Sequence, residues 1–118
     1  MKSFQEYSEL KCSFHGLLTL LSGSWTSYIL WLLHEKGELR FGELKKQLPG
    51  ISAKVLTERL RKLEEAGLVH RTHEPTIPPK VSYRLTARGE SLQGPLSQLK
   101  ELSVIWNSDD QDPLQLRA

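Results

Sequence analysis

Cysteine is all but missing from this chain of 118 residues: Cys12 is the only one. No disulfide can form within the chain, no cysteine-rich zinc site can be built, and a reducing, cytoplasmic setting fits best. The four histidines do not supply a metal site in its place. His15, His34, His70 and His73 have no Cys, Asp or other His at metal-ligand spacing, and on a strand His70 and His73 would face opposite ways. Also lacking are a Gly-rich phosphate loop, a nucleophile elbow and paired carboxylates in an apolar setting, so neither enzyme activity nor a bound cofactor is expected. There is no internal repeat and no low-complexity tract, and only the acidic end NSDDQDPLQLRA looks frayed. The length suits one domain spanning residues 1–118, with a modest core.

Formal charge is absent from Cys12 to His34, and those 23 residues would be long enough to cross a bilayer. Their composition points elsewhere. Ser13, His15, Thr19, Ser22, Gly23, Ser24, Thr26 and Ser27 interrupt the run, and its apolar positions form stripes, as a folded core requires. Lys2 and Lys11 ahead of LLTLL resemble the start of a secretory signal, but the same striping favours a folded helix. No membrane partner is therefore expected.

Net charge is only +2, yet it is unevenly spread. Residues 36 to 88 carry 12 Lys and Arg against 6 Glu, whereas the two flanks together carry 4 against 8 acidic residues. A basic centre between acidic flanks is an electrostatic footprint for a polyanion.

Leu10, Phe14, Leu17, Leu18 and Leu21 recur at helical spacing, which predicts a first helix over about 9–21. Ser24 is placed to cap a second, with Trp25, Ile29, Leu32 and Leu33 on one stripe and Gly37 at its end. A short extended piece, Glu38 to Phe41, leads to a third helix from about Gly42 to Leu48. Pro49 and Gly50 then interrupt the chain, Ser52 offers an N-cap, Ile51 and Leu56 occupy hydrophobic-staple positions, and Gly67 suits a left-handed C-cap. These signals predict a fourth helix from Ala53 to Ala66. Two strands follow, Leu68–His73 and Val81–Leu85, joined by EPTIPPK, whose prolines preclude a tight hairpin turn. Thr86 caps a last helical region over about 87–107, with a break expected near Gly94-Pro95. The fold class is mainly α with a small β-wing, a winged helix-turn-helix with its helix-turn-helix over about 42–66 and its wing over about 68–85.

On a helical projection of residues 52 to 66, Leu56, Leu60 and Leu63 share one face, and Lys54, Thr57, Glu58, Arg61 and Glu65 lie on the other. The major groove of B-DNA admits one helix, and its base edges are read by Lys or Arg at guanine, by Ser or Thr more permissively, and by Glu at cytosine N4. The second helix of a helix-turn-helix reads with its N-terminal part. This assigns Ser52, Lys54, Thr57 and Glu58 to base or near-base contacts and Arg61 to the groove wall. Glu58 has an alternative role in an i, i+4 pair with Lys62. Arg40, Lys45, Lys46, His73 and Lys80 are candidates for phosphate contacts, which position without specifying sequence.

The run RFGELKKQLPGISAKVLTERLRKLEEAGLVHR, followed by PPKVSYRLTARGE and the late Trp106, resembles the HxlR family of bacterial winged-helix regulators, relatives of the MarR group. Cys12, thirteen residues before Trp25 in SGSWTSYIL, is similar to the start of that pattern, so the match runs over roughly residues 10 to 107. It rests on the joint order of RF, GIS, LTERLRKLE, GLV, PPKVSY and LT rather than on any one piece. One departure is that Ser24 stands where family members commonly have the lysine of Gly-Lys-Trp. The resemblance implies a homodimeric transcription regulator, usually a repressor, joined through its terminal helices.

The stripes themselves support that assembly. The first and last helices carry more apolar surface than one small domain needs to cover, which nominates Leu10, Phe14, Leu17, Leu18, Leu99, Leu102, Ile105 and Trp106 as interface residues. A twofold dimer would present two recognition helices about 34 Å apart to an inverted repeat in double-stranded DNA. Cys12 lies beside Lys11 and near His15, and neighbouring cations favour the reactive thiolate. Some HxlR relatives sense quinones, aldehydes or hypochlorite through a cysteine in this region, so the resemblance makes Cys12 a candidate redox sensor; the plainer reading is a small apolar residue in the dimer helix. A small-molecule effector held between the first and last helices is compatible with DNA binding. A protein–protein interaction module that has left DNA behind is the competing function, and an acidic or apolar outer face on the 52–66 helix would mark it.

Overall fold

The computed structural model describes the backbone of residues 4–108 and the side chains of residues 13–108. In chain order the elements are α1 (Phe4–Ser22), α2 (Thr26–Lys36), β1 (Leu39–Arg40), α3 (Phe41–Gln47), α4 (Ala53–Glu65), β2 (Val69–Glu74), β3 (Lys80–Leu85), α5 (Ala87–Glu90) and α6 (Gln93–Asn107). This is a winged helix-turn-helix, mainly helical with a three-stranded antiparallel sheet in the order β1-β3-β2.

The expected fourth helix, now α4, keeps its predicted signals almost to the residue. The Ser52 hydroxyl accepts a hydrogen bond from the Val55 N–H at 3.1 Å, and Gly67 closes the helix at φ +75°. Leu56, Leu60 and Leu63 are buried and pack with Ile29, Leu30, Leu33, Leu44 and Leu48 into one core. The sheet closes the other side of that core with Leu39, Val69, Tyr83 and Leu85. Thr86 caps α5 as expected, its hydroxyl accepting from the Gly89 N–H at 3.1 Å.

Several expectations need correction. The first helix begins at Phe4, five residues ahead of the predicted start at Glu9, because the apolar spacing used to place it starts only at Leu10. Ser24 is not the cap of α2. Trp25 occupies that position at φ +73°, left-handed and uncommon for a bulky residue, and the Thr26 N–H bonds back to the Gly23 carbonyl at 3.1 Å. The short extended piece expected at 38–41 is a strand as read, narrowed to Leu39–Arg40; it pairs Leu39 with Tyr83 and Arg40 with Ser82, which adds a third strand to the two of the wing. The last helical region breaks at Ser91-Leu92, ahead of Gly94-Pro95. Pro95 sits in the first turn of α6, where a missing N–H leaves no intrahelical bond unmade.

The uncharged run divides into two helices bent by 81° at residues 23–25, and among the described residues no single helix is long and apolar enough to cross a membrane. The Cα radius of gyration is 17.0 Å, against about 13 Å for a compact chain of the described length. The excess reflects terminal helices that reach beyond the core. Helix α6 buries none of its residues.

Candidate nucleic-acid interface

The polar ridge of α4 lies where the burial of its other face leaves it. Leu56 and Leu63 are fully buried and Leu60 is 1% exposed, so the opposite side of the helix must face outward. Lys54, Thr57, Glu58, Arg61 and Glu65 are all exposed there. Ser52 uses its oxygen for the cap and keeps its own proton to donate. Thr57 donates its hydroxyl to the Ala53 carbonyl at 2.8 Å, which leaves the oxygen as the side an external donor can reach. Glu58 and Lys62 form no ion pair; among the described residues the one contact of a basic side chain with a carboxylate joins His34 Nδ1 to Glu90 Oε2 at 3.5 Å. Among the described residues the cations of the ridge therefore have no ion-pair partner to leave.

The remaining predicted contacts surround this helix. Lys45 and Lys46 are exposed on the last turn of α3. Arg40 is exposed at the start of α3, its backbone N–H donating to Glu43 Oε1 at 3.0 Å, which fixes the first turn of that helix. Lys80 pairs in register with Glu74 at the mouth of the hairpin, and His73 with Val81. Residues 75–79 bridge the strands as a five-residue loop whose Ile77 side chain is fully exposed. Pairing also fixes the histidines: His73 shares a face with Val81, and His70 shares the other face with exposed Arg84. Among the described residues there is no group of His, Cys, Asp and Glu suited to a metal ion.

Three arginines outside the predicted set take definite places in the structure. Arg71 pairs with Tyr83, so it shares the sheet face of Val69, Tyr83 and Leu85, but it stands beyond the edge of the core and is exposed. It lines a cleft of about 490 Å³ together with Arg40, Phe41, Gly42, Thr57, Pro78, Pro79, Lys80, Val81 and Tyr83. The period-two alternation of β2 could have revealed it, since Val69 and Arg71 fall on one face. Arg59 and Arg88 instead hold α4 in place. Arg59 Nε donates to the Ser24 carbonyl at 2.8 Å and Arg88 Nη1 to the Ala66 carbonyl at 3.0 Å, tying the helix to the α1–α2 corner and to α5. Gly89 lets α5 pack directly on the backbone that enters the wing, because a Cβ there would collide with the Leu68 carbonyl oxygen.

At the terminal helices Phe14, Leu17, Leu18, Leu99, Leu102 and Ile105 are exposed, joined by Val104, while Trp106 is half-buried within its own chain. The side chains of Leu10 and Cys12 lie outside the described residues. A second cleft of about 490 Å³ lies between α1 and the α5–α6 corner, lined by Leu17, Leu20, Ala66, Leu68, Arg88 and Leu92 among others.

Comparison with known proteins agrees with this architecture. The family model of the HxlR-like helix-turn-helix matches residues 20–111. An HTH-type transcriptional regulator of Synechocystis sp. is 42% identical over 95 residues, which is 80% of this chain and 70% of that protein. Among solved structures, the redox regulator HypR in its reduced form superposes with a TM-score of 0.75 at 32% identity, covering 89% of this chain and 99% of its own. The reduced transcriptional regulator YodB from B. subtilis gives 0.66 at 31% identity, covering 96% and 98%. With the capped recognition helix, the three-stranded wing and these matches together, the chain belongs to the HxlR-like helix-turn-helix family of transcriptional regulators.

Proposed function

We propose that this protein binds double-stranded DNA in a sequence-specific manner, as a homodimeric repressor on an inverted repeat. The observation that carries this reading is the division of α4: three buried leucines on one side and, on the other, an exposed ridge of Lys54, Thr57, Glu58 and Arg61 that forms no ion pair among the described residues. A helix so presented enters the major groove with its N-terminal turns, where Ser52, Lys54 and Thr57 reach base edges and Arg61 the groove wall. Arg40, Lys45, Lys46, His73 and Lys80 add phosphate contacts. The outer face is neither acidic nor apolar, which speaks against a pure protein-interaction module.

The dimer follows from the uncovered faces. Phe14, Leu17, Leu18, Leu99, Leu102 and Ile105 are exposed on α1 and α6, and a second copy burying them is the simplest cover for so much apolar surface. The resemblance to HypR and YodB, whose structures are described by redox state, supports Cys12 as a redox-responsive group with an oxidant as effector. With a single cysteine per chain, a protein disulfide would have to join two subunits.

The test is binding of the purified protein to the DNA upstream of its own gene over a salt series, reduced and after diamide. Affinity that falls steeply with salt and depends on sequence is expected. A flat salt response removes the DNA reading, and identical affinity before and after oxidation removes Cys12 from the mechanism.

A further inference from the structure

The geometry points to a seat for one backbone phosphate in the cleft between the wing and the recognition helix, with Arg71 as its principal cation. This inference rests on the DNA-binding reading and adds to it a residue and a location. The cleft has three cationic residues in its lining, Arg40, Arg71 and Lys80, and no carboxylate. Glu74 stands opposite Lys80 in register, yet the two form no ion pair. Among the described residues no ion pair takes up these cations, and an anion is the ligand that relieves their field.

Arg71 differs from an ordinary surface charge in where the sheet puts it. Cross-strand pairing with Tyr83 holds it on the inner face, on the same side as the buried Val69 and Leu85, one step past the rim of the core. Its side chain makes no hydrogen bond or ion pair among the described residues. Across the cleft stands Thr57 on α4, so an anion seated there sits beside the ridge that reads bases. The other walls are Phe41, Pro78, Pro79 and Val81, apolar surface suited to the deoxyribose flanking a phosphodiester. Its volume of about 490 Å³ lies within the range of small-ligand sites. Arginine presents a planar fork that matches two phosphate oxygens at once.

The experiment compares Arg71→Gln with Arg84→Gln in the full chain. Arg84 pairs with His70 on the outer face of the same sheet and is not among the residues that line the cleft, so its removal changes net charge equally without touching it. Binding to the upstream duplex is measured from 50 to 200 mM salt, with melting temperatures in parallel. Loss of one phosphate contact flattens the slope of log K against log salt by about 0.9 per half-site, or roughly 3.5-fold less loss of affinity across that range. We expect that flattening for Arg71→Gln, with unchanged penalties for mismatched bases, and the wild-type slope for Arg84→Gln. Equal slopes for the two variants overturn the proposal. A second arm follows thermal unfolding in phosphate against chloride at matched ionic strength, without DNA. If wild type binds no duplex but phosphate raises its melting temperature in an Arg71-dependent way, the DNA reading fails and the seat stands for a free phosphate ligand. Neither effect in wild type refutes both.

Discussion

Leu60 and Arg61 are neighbours in sequence with opposite duties, and replacing each by alanine separates the two faces of α4. Leu60 is 1% exposed and surrounded by the core, so its truncation removes buried apolar contact and leaves a cavity, at about 2–5 kcal/mol. For a domain of this size that corresponds to a fall in melting temperature of roughly 8–20 °C. Arg61 is exposed and forms no ion pair, so Arg61→Ala should change stability by no more than about 0.5 kcal/mol. In DNA binding the order reverses. A groove contact at Arg61 is worth about 1–3 kcal/mol per site, which weakens binding by roughly 5- to 160-fold. Leu60→Ala, measured well below its own melting temperature, should keep most of its affinity, since the outward ridge is unaltered. Thermal unfolding by circular dichroism and fluorescence anisotropy with a labelled duplex give the two readouts. A melting temperature for Arg61→Ala as low as that of Leu60→Ala, or unchanged DNA affinity in a folded Arg61→Ala, would refute the assignment of faces.

Gly89→Ala should destabilise the protein by about 1–3 kcal/mol in urea unfolding, because the new methyl meets the Leu68 carbonyl, a backbone atom that cannot rotate aside; a neutral effect would contradict the close packing of α5 on the start of the wing. Ile105→Glu combined with Leu99→Glu places two charges on an exposed apolar face, and sedimentation should report a monomer where wild type is a dimer. If wild type is itself monomeric, the terminal helices are not a self-association surface. Cys12→Ser should abolish any change that diamide produces in DNA affinity, whereas a persisting response would assign oxidation to another residue.

The elements most legible in the sequence are those whose determinants lie within a few residues. Helix α4 runs from its Ser52 cap to left-handed Gly67 as its local signals dictate, and the three leucines at helical spacing turn inward, because capping and periodicity act over one or two turns. The order helix, turn, helix, strand, strand follows from the same local signals and from turn residues that stop each piece. Distant partners decided the rest. Ser24 loses the cap because a left-handed Trp25 intervenes, while its carbonyl accepts from Arg59, thirty-five residues away. Leu39 and Arg40 read as a short extended piece, but their partner β3 lies more than forty residues away and no local signal names it. Arg59 and Arg88 bind carbonyls, though in sequence both are indistinguishable from solvated charges, and Arg71, which strand alternation places on the inner face, meets a cleft only because α3, α4 and the wing close around it. The sequence by itself determined which segments are helices and strands and which face of each is apolar, since those depend on neighbours along the chain. Which cations point at a common cleft, and which apolar stripes remain uncovered, depended on closure of the sheet against the helices, a matter of contacts between residues far apart in sequence.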